Sequence, residues 1–345
     1  MSVEARTTVR MAERIASDRS GHALTTSTKS GYSCMKSAEQ NAKTCWHEFV
    51  SVLFGFGLCF LCEGFKIPSW QQGEGSIPSF GSPLSGKKPL KSHSQNIEFI
   101  SQKILGSEYF IALTGAGIST ESGIPDYRSK GGIWEKFQPV YIDEFMRSRA
   151  ARIKYWRRKA ELYPDLIKAQ PNAAHRGLAE LYKLGLLKSI ITQNIDGLHQ
   201  KAGMPDQAII ELHGNNFRVR CMTCDRISSI HEAQKRIESG DCAPECECGG
   251  YLKPDTISFG QSLRADILAQ AYEQSGRCSM MLVIGSTLKV QPAAGLPGIA
   301  KQNGAFLAMI NLSETPCDGI FDLIIREKAG LVVQAIVDKI KERRP

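Results

Sequence analysis

Residues 111–129, IALTGAGISTESGIPDYRS, decide the fold class of this chain. The stretch opens with an apolar run and continues with three glycines, a proline, two acids and an arginine. An apolar strand that leads directly into glycines is typical of a loop that passes close to a phosphate, because a residue without Cβ lets the backbone turn tightly and approach the anion. We therefore predict that Gly115 and Gly117 contact a pyrophosphate. An ordinary glycine-rich turn is the alternative, since Thr120 stands where a dinucleotide-binding fingerprint has its third glycine.

Six apolar runs rich in β-branched or aromatic residues predict strands. They cover residues 109–114, 186–193, 208–212, 280–286, 305–312 and 321–327. Amphipathic stretches separate most of them. In one, Pro171 is placed for the first helical turn and Gly185 for the end of the helix, and residues 330–343 have the spacing of a closing helix. This alternation predicts an α/β fold with a Rossmann-like doubly wound parallel sheet, which binds ligands at the carboxyl ends of its strands.

The end of the glycine-rich stretch carries charge. Asp126 and Arg128 follow a Gly-Ile-Pro turn, and an arginine beside an acid can hold a phosphate or a ribose. A solvated turn is the alternative. Residues 131–138 contain no convincing second strand closed by an acid, which a simple dehydrogenase would use to hold its ribose. The pattern therefore departs from that of a simple dehydrogenase.

A second polar cluster, TQNIDGLHQ, follows the strand predicted at residues 186–193. Gln193, Asn194 and Asp196 are poorly explained by packing, because buried polar groups need partners, and they suit a ribose or a carboxamide. His199 alone is better explained as structural. His213 ends another predicted strand, and a neutral imidazole there is a candidate general base near neutral pH.

Two close cysteine pairs predict a metal site. Two residues lie between Cys221 and Cys224, which form Cys-x-x-Cys, whereas Cys246 and Cys248 form Cys-x-Cys, and 21 residues separate the pairs. Four thiolates fill a closed tetrahedral Zn²⁺ site and leave no open position for catalysis, so the predicted zinc is structural. Cys242 is a nearby spare ligand, and a redox-active Cys-x-x-Cys is the alternative.

Residues 1–95 are predicted to be a disordered or targeting extension. They hold 11 Lys/Arg and 7 Asp/Glu residues, so half of the net charge of +8 lies outside the predicted domain, and specific nucleic-acid binding is not expected. Their uncharged run at residues 49–62 is short for the roughly 20 residues of a membrane span, so membrane attachment is not expected either. We expect a cytoplasmic protein, with the mitochondrial matrix as the alternative.

With these motifs in order, residues 97–341 resemble the sirtuins, the NAD-dependent protein-lysine deacylases. The stretches that carry the resemblance are GAGISTESGIPDYRS, TQNIDGLHQKAG, ELHGN, CMTC with CECGGYLKPDTISFG, and GSTLKVQPAAGLP. The resemblance implies a sirtuin-type catalytic domain over residues 96–342, with a helical insertion and a small zinc module at about residues 215–255.

The resemblance also implies roles for individual residues. The loop over residues 115–128 would wrap the diphosphate and ribose of NAD through Gly115, Ala116, Gly117, Thr120, Asp126, Tyr127 and Arg128. The nicotinamide pocket would be lined by Ile124, Asn194 and Asp196, with Gln193 on the ribose. The adenosine half would contact Gly285, Ser286, Asn311, Leu312 and Ala329. His213 would be the general base, and Asn194 and Asp196 would complete the catalytic set.

The implied reaction is NAD-dependent deacylation of acyl-lysine proteins or peptides. In the family mechanism the acyl oxygen attacks the ribose carbon as nicotinamide leaves, and a histidine then activates a ribose hydroxyl to move the acyl group. The products would be nicotinamide, O-acyl-ADP-ribose and free lysine. The peptide would add as an extended strand between residues 258–261 and 288–292. The alternatives are a protein ADP-ribosyltransferase and a non-enzymatic, zinc-stabilised NAD-binding module.

The sequence departs from the family pattern in places. Tyr127 stands where the family usually has Phe, and SFGQ replaces the commoner ending FGE. Residues 152–175 are similar to the branch that contains the mitochondrial lipoamidase-like sirtuins and many bacterial members. Tyr155 and Arg158 have the Tyr-x-x-Arg spacing that the desuccinylase branch uses to hold acidic acyl groups, but the tyrosine aligns out of place.

Overall fold

The six predicted strands are present and belong to one sheet. A computed structural model describes residues 92–127, 131–136 and 138–344, so the predicted N-terminal extension, apart from residues 92–95, lies outside the described residues. The strands are, in chain order, β1 (Phe110–Thr114), β2 (Leu187–Thr192), β3 (Ile209–Glu211), β4 (Gly214–Cys221), β5 (Ile227–Ser229), β6 (Leu252–Thr256), β7 (Met280–Ile284), β8 (Phe306–Ile310) and β9 (Leu323–Ile325).

The large sheet has the order β3-β2-β1-β7-β8-β9, and all of its neighbouring strands are parallel. Counted along its own strands, this is the order 3-2-1-4-5-6 of the Rossmann fold. The direction of winding reverses between β1 and β7. Their carboxyl ends, at Thr114 and Ile284, therefore mark the switch point at which such sheets bind ligands, and the predicted fold class is confirmed.

Helices lie between most consecutive strands of the large sheet. The helices are α1 (His93–Leu105), α2 (Ile133–Lys136), α3 (Ile142–Arg147), α4 (Arg149–Lys168), α5 (Ala173–Lys183), α6 (Leu198–Lys201), α7 (Ile230–Glu238), α8 (Ala265–Arg277), α9 (Leu296–Gln302) and α10 (Ala329–Arg343). None of the helices in the described part of the chain has the length and apolar character that crossing a membrane requires.

The start of α5 differs from the sequence prediction. Pro171 lies ahead of the helix and not in its first turn, because Asn172 is the N-cap and its side chain accepts a hydrogen bond from the backbone N–H of Ala174 at 2.9 Å. The predicted end is correct, since Gly185 follows the last turn with a positive φ of 73°.

Strand β1 shows why both faces of the sheet are covered. Phe110 and Ala112 point into a core shared with α1, α5 and α10, whereas Ile111 and Leu113 point into a second core with α8 and α9. All four side chains are fully buried. A strand that is apolar on both faces belongs to a parallel sheet with helices on either side, which is the doubly wound arrangement.

The smaller sheet has the antiparallel order β5-β4-β6 and shares its core with α4, the longest helix of the helical insertion. Trp156 of α4 is buried against Val219 and Leu252, and its indole N–H donates to the carbonyl of Leu252 at 3.0 Å. The small module therefore does not build its core alone, and α4 fixes its position.

Candidate active site

A cavity of about 780 Å³ opens at the carboxyl ends of β1, β2 and β7. Its wall contains most of the site residues predicted from the sequence: Gly115, Ala116, Gly117, Thr120, Asp126, Tyr127, Gln193, Asn194, His213, Gly285, Ser286, Asn311, Leu312 and Ala329. Ile124 and Asp196 are not part of that wall, and Arg128 lies outside the described residues. The volume is typical of a small-molecule or cofactor site.

The glycines at the switch point allow two loops to touch. Gly117 donates its backbone N–H to the carbonyl of Gly285 at 2.8 Å. A Cβ on Gly115 or on Gly117 would lie 2.8 Å from that same carbonyl oxygen, which is closer than side chains are found. Thr120 fills the place of the expected third glycine, and its hydroxyl donates to the carbonyl of Gly117 at 2.9 Å. The loop after β1 is thus held against the loop after β7 at the edge of the cavity.

A buried polar network stands behind this loop. The Asn194 amide nitrogen donates to the carbonyl of Gly115 at 3.1 Å and to the hydroxyl of Ser119 at 3.2 Å. Ser119 donates in turn to Asp196 at 2.8 Å, and Asp196 also accepts from the backbone N–H of Leu198 at 3.0 Å. Burial raises the pKa of Asp196. Asn194 lines the cavity itself, whereas Asp196 contacts Ser119 and through it holds Asn194 in place.

His213 lies between β3 and β4 on the cavity wall, and its tautomer follows from its partner. Its Nδ1 is 2.9 Å from the carbonyl oxygen of Gln193. A carbonyl can only accept, so Nδ1 carries the proton and Nε2 is left as the nitrogen that can take one up. Burial lowers the pKa of His213 below its ordinary value, although the bond to Gln193 opposes the shift. The imidazole is therefore neutral near pH 7, as a general base requires.

A cationic wall of α4 was not predicted as a whole. Tyr155, Arg158 and Lys159 line the cavity, and the fully buried Lys253 stands close to the Tyr155 ring, 5.6 Å from its centre. Burial alone would raise the pKa of Tyr155, but Lys159 and Lys253 outweigh it and bring this pKa to about 7. Burial lowers the pKa of Lys159 to about 8, and its amine donates to Asn216 at 2.6 Å. Tyr155, Arg158 and Lys159 have the spacing i, i+3, i+4, which places them on one face of a helix and could have indicated the wall from the sequence.

The four predicted metal ligands come together at the far end of β4 and β6. The thiol sulfurs of Cys221, Cys224, Cys246 and Cys248 all lie within 4.8 Å of one another. Sulfurs at the corners of a Zn²⁺ tetrahedron with bonds of about 2.3 Å are about 3.8 Å apart, and two of the pairs here measure 3.5 Å and 3.8 Å. The cluster thus fits one structural zinc. Cys242 is exposed, bonds to the Gly240 carbonyl and takes no part in the cluster.

Two buried histidines pack against each other beneath the cavity. The ring centres of His175 and His199 are 5.0 Å apart, and both side chains are almost fully buried. Burial lowers the pKa of His175 to about 4, with a further contribution from Arg176, and burial and His175 lower the pKa of His199 well below its usual value. Both rings are therefore neutral in the folded protein at neutral pH.

This pair predicts a stability that falls in acid. Below pH about 6.5 these histidines take up protons in the unfolded chain but not in the folded protein. Their contribution to the free energy of unfolding is therefore fully present above that pH and is lost as pH falls towards 4. Each histidine contributes up to about 1.4 kcal/mol per pH unit in this window. We expect His175→Phe to flatten the decline in urea midpoint between pH 7 and pH 5, measured beside the parent protein. Equal declines in the two proteins would contradict the neutral burial of His175.

Comparison with known proteins agrees with the fold and the cavity. The model of the Sir2 family matches residues 115–292. A protein of Thermodesulfovibrio yellowstonii named NAD-dependent protein deacetylase is 44% identical over 254 residues, which are 73% of this chain and 98% of that protein. A solved structure of Sir2 with a p53 peptide and NAD⁺ is 37% identical with a TM-score of 0.62, over 72% of this chain and 97% of that one. Another, of Sir2 with a deacetylated p53 peptide and 3'-O-acetyl-ADP-ribose, is 36% identical with a TM-score of 0.66, over 71% and 98%.

Proposed function

We propose, because this chain belongs to the Sir2 family, that it removes acyl groups from protein lysines with NAD as co-substrate. The observation that carries the proposal is the meeting of the glycine loop, Asn194 and the neutral imidazole of His213 in one cavity at the switch point of the sheet. The products are nicotinamide, O-acyl-ADP-ribose and free lysine. The substrates are acyl-lysine proteins or peptides.

The residues present fit a dinucleotide. When bound, NAD supplies the ribose carbon that the acyl oxygen attacks as nicotinamide leaves. We assign the loop after β1 to the diphosphate, and Gly285, Ser286, Asn311, Leu312 and Ala329 to the adenosine half. Asn194 and Gln193 face the ribose and nicotinamide end, and Asp196 holds Ser119 and thereby Asn194. Ile124 and Arg128 keep the roles that the family resemblance implies, as a proposal.

His213 then moves a proton. Its Nε2 takes the proton of a ribose hydroxyl, which makes that oxygen able to attack the acyl carbon. The carbonyl of Gln193 holds Nδ1–H throughout and stabilises the positive charge that the imidazole gains. Because Gln193 also donates to Ser286 at 2.9 Å, the base is tied to the loop after β7.

The acyl-lysine segment is proposed to lie as an extended strand between residues 258–261 and 288–292. Phe259, Gly260 and Val290 line the cavity from these two segments. Pairing of this kind reads the peptide backbone more than its side chains, so we expect loose sequence selectivity.

The direct test incubates the purified chain with NAD and peptides carrying acetyl-, succinyl-, lipoyl- or long-chain acyl-lysine. Nicotinamide and free lysine are followed by mass and should appear in equal amounts. Lipoyl-lysine is included because of the similarity of residues 152–175 to the lipoamidase-like branch. Transfer of label from the adenine half of NAD to protein, with no loss of acyl group from any peptide, would favour ADP-ribosylation instead.

The cationic wall makes a separate prediction about the acyl group. A carboxylate at the end of the acyl chain would meet the guanidinium of Arg158 and the amine of Lys159, and a hydrogen bond to a charged group contributes about 1.5–3 kcal/mol. We expect Arg158→Met to lower kcat/KM for a succinyl peptide by at least about 10-fold relative to the acetyl peptide. Arg157→Met, an exposed neighbour on the same helix, is the control. An unchanged succinyl-to-acetyl ratio would remove Arg158 from acyl recognition.

For the location we propose the cytoplasm, with the mitochondrial matrix as the alternative. Four cysteines that act as zinc ligands must stay reduced, which both compartments allow. Fractionation of cells that make the full chain, followed by detection with an antibody, tests this placement.

A further inference from the structure

Side-chain hydroxyls join the carboxyl ends of β1 and β2 beneath the cavity. Thr114 donates to the hydroxyl oxygen of Thr192 at 2.8 Å, and the backbone N–H of Asn194 donates to the same oxygen at 3.1 Å. Each threonine is the last residue of its strand and is buried. The next residues, Gly115 and Gln193, line the cavity. The two hydroxyls therefore set the relative position of the two loops that begin there.

His199 extends this chain of hydrogen bonds. Its Nε2 lies 2.9 Å from the Thr114 hydroxyl oxygen. Because Thr114 gives its only hydroxyl proton to Thr192, its oxygen accepts, and Nε2 of His199 must be the protonated nitrogen. The Nδ1 atom is buried with no hydrogen-bond partner among the described residues. A second proton there would have no acceptor, so the ring acts as a neutral donor to Thr114.

We propose that His199 is a positioning residue for dinucleotide binding, acting through Thr114 and Thr192 on the backbone of Asn194. The side chain of Asn194 holds the carbonyl of Gly115 at 3.1 Å, so the imidazole secures the loop after β1 and the loop after β2. Loss of the Nε2–H donor leaves the Thr114 oxygen short of a partner and loosens both loops. The inference rests on the proposed function, since it assumes that this cavity binds NAD.

His175 offers a matched control for burial without the hydrogen bond. It is fully buried and packs against His199, but neither of its ring nitrogens has a hydrogen-bond partner among the described residues. Replacing either histidine by phenylalanine changes the same packed pair. Only the change at His199 removes a donor to the strand ends.

The experiment measures the Kd of ADP-ribose by calorimetry and the Tm without ligand for the parent protein, His199→Phe, His175→Phe, Thr114→Val and the His199→Phe/Thr114→Val double variant. We expect His199→Phe and Thr114→Val each to weaken ADP-ribose binding by about 10-fold, the size of one lost hydrogen bond, and the double variant to bind no more weakly than the weaker single variant. His175→Phe should bind as the parent does, even if its Tm falls. With acyl peptide, KM for NAD should rise in His199→Phe and KM for the peptide should not.

Each result supports or overturns the proposal. Parent-like ADP-ribose binding by His199→Phe, or equal weakening by His175→Phe and His199→Phe, would show a packing role only. If His199→Phe does not fold, Thr114→Val carries the same test, and parent-like binding by that variant overturns the proposal. Failure of the parent protein itself to bind ADP-ribose would instead overturn the proposed function.

Discussion

Replacing His213 by alanine is expected to lower kcat for deacylation by about 100- to 10,000-fold, the range that a positioned general base contributes. The reason lies in the different roles of the two ring nitrogens of His213. Nδ1 is committed to the carbonyl of Gln193, so Nε2 is the basic nitrogen, and the side chain lies on the wall of the cavity that holds Asn194 and the glycine loop. Alanine removes the base but leaves the hydrogen bonds of Asn194 to Gly115 and Ser119 in place.

The measurement therefore separates chemistry from binding. ADP-ribose should bind to His213→Ala within a few fold of the parent protein, while release of free lysine nearly stops. His231→Ala is the matched control, because His231 is an exposed histidine of α7 that does not line the cavity, and its kcat should stay near that of the parent. A kcat within about 3-fold of the parent value in His213→Ala would exclude His213 as the base, since general-base catalysis supplies at least about 100-fold.

The pH profile of kcat/KM gives an independent check on the same residue. Burial lowers the pKa of His213 from its ordinary value, so the imidazole stays unprotonated to a lower pH than a free histidine does. We expect the acid limb of the profile to fall below pH about 6.5, the ordinary histidine value. An acid limb above that pH would mean that a different group, or a His213 with a raised pKa, controls the reaction.

Local sequence pattern sufficed for the sheet and for most of the cavity. Alternating strands and helices imply parallel strands, and parallel strands bring their carboxyl ends to one edge, so Gly115, Asn194 and His213 could be grouped although nearly 100 residues separate the first from the last. The start of α5 was predicted incorrectly, with Pro171 in the first turn, although the asparagine that follows it is a preferred N-cap residue and is the cap.

Other features depend on packing between distant segments. The cationic wall exists because Trp156 anchors α4 on Leu252 and so brings Tyr155 against Thr256 at 3.2 Å, a contact that no spacing rule predicts. The place of Asp196 behind Ser119 depends likewise on how the loop after β1 turns. The hydrogen bond from His199 to Thr114 joins residues that are 85 positions apart. Such contacts follow from the fold and not from a local motif.

The second large effect is expected from Cys221→Ser. We expect this variant to lose its one zinc ion, measured by elemental analysis. The rate of deacylation should fall at least about 100-fold, because metal-binding free energies of about 10–16 kcal/mol stabilise small zinc modules. Cys242→Ser, which changes an exposed cysteine outside the cluster, should keep its zinc and its activity.

The loss of activity is expected because β4 and β6 connect the zinc cluster to His213 and to the proposed peptide site. Strand β4 ends at Cys221 and begins at Gly214, next to His213, and β6 leads into residues 258–261 of the proposed peptide site. Arg218 of β4 is paired with Glu211 of β3 at 2.5 Å and with Asp255 of β6 at 3.3 Å, so disorder in the small sheet reaches the base and the peptide site together. The glycine loop follows β1, a strand of the large sheet, and should still bind ADP-ribose. Zinc loss that left deacylation intact would show that the module does not hold His213 in place, and a Cys221→Ser variant that kept one zinc per chain would exclude Cys221 as an essential ligand.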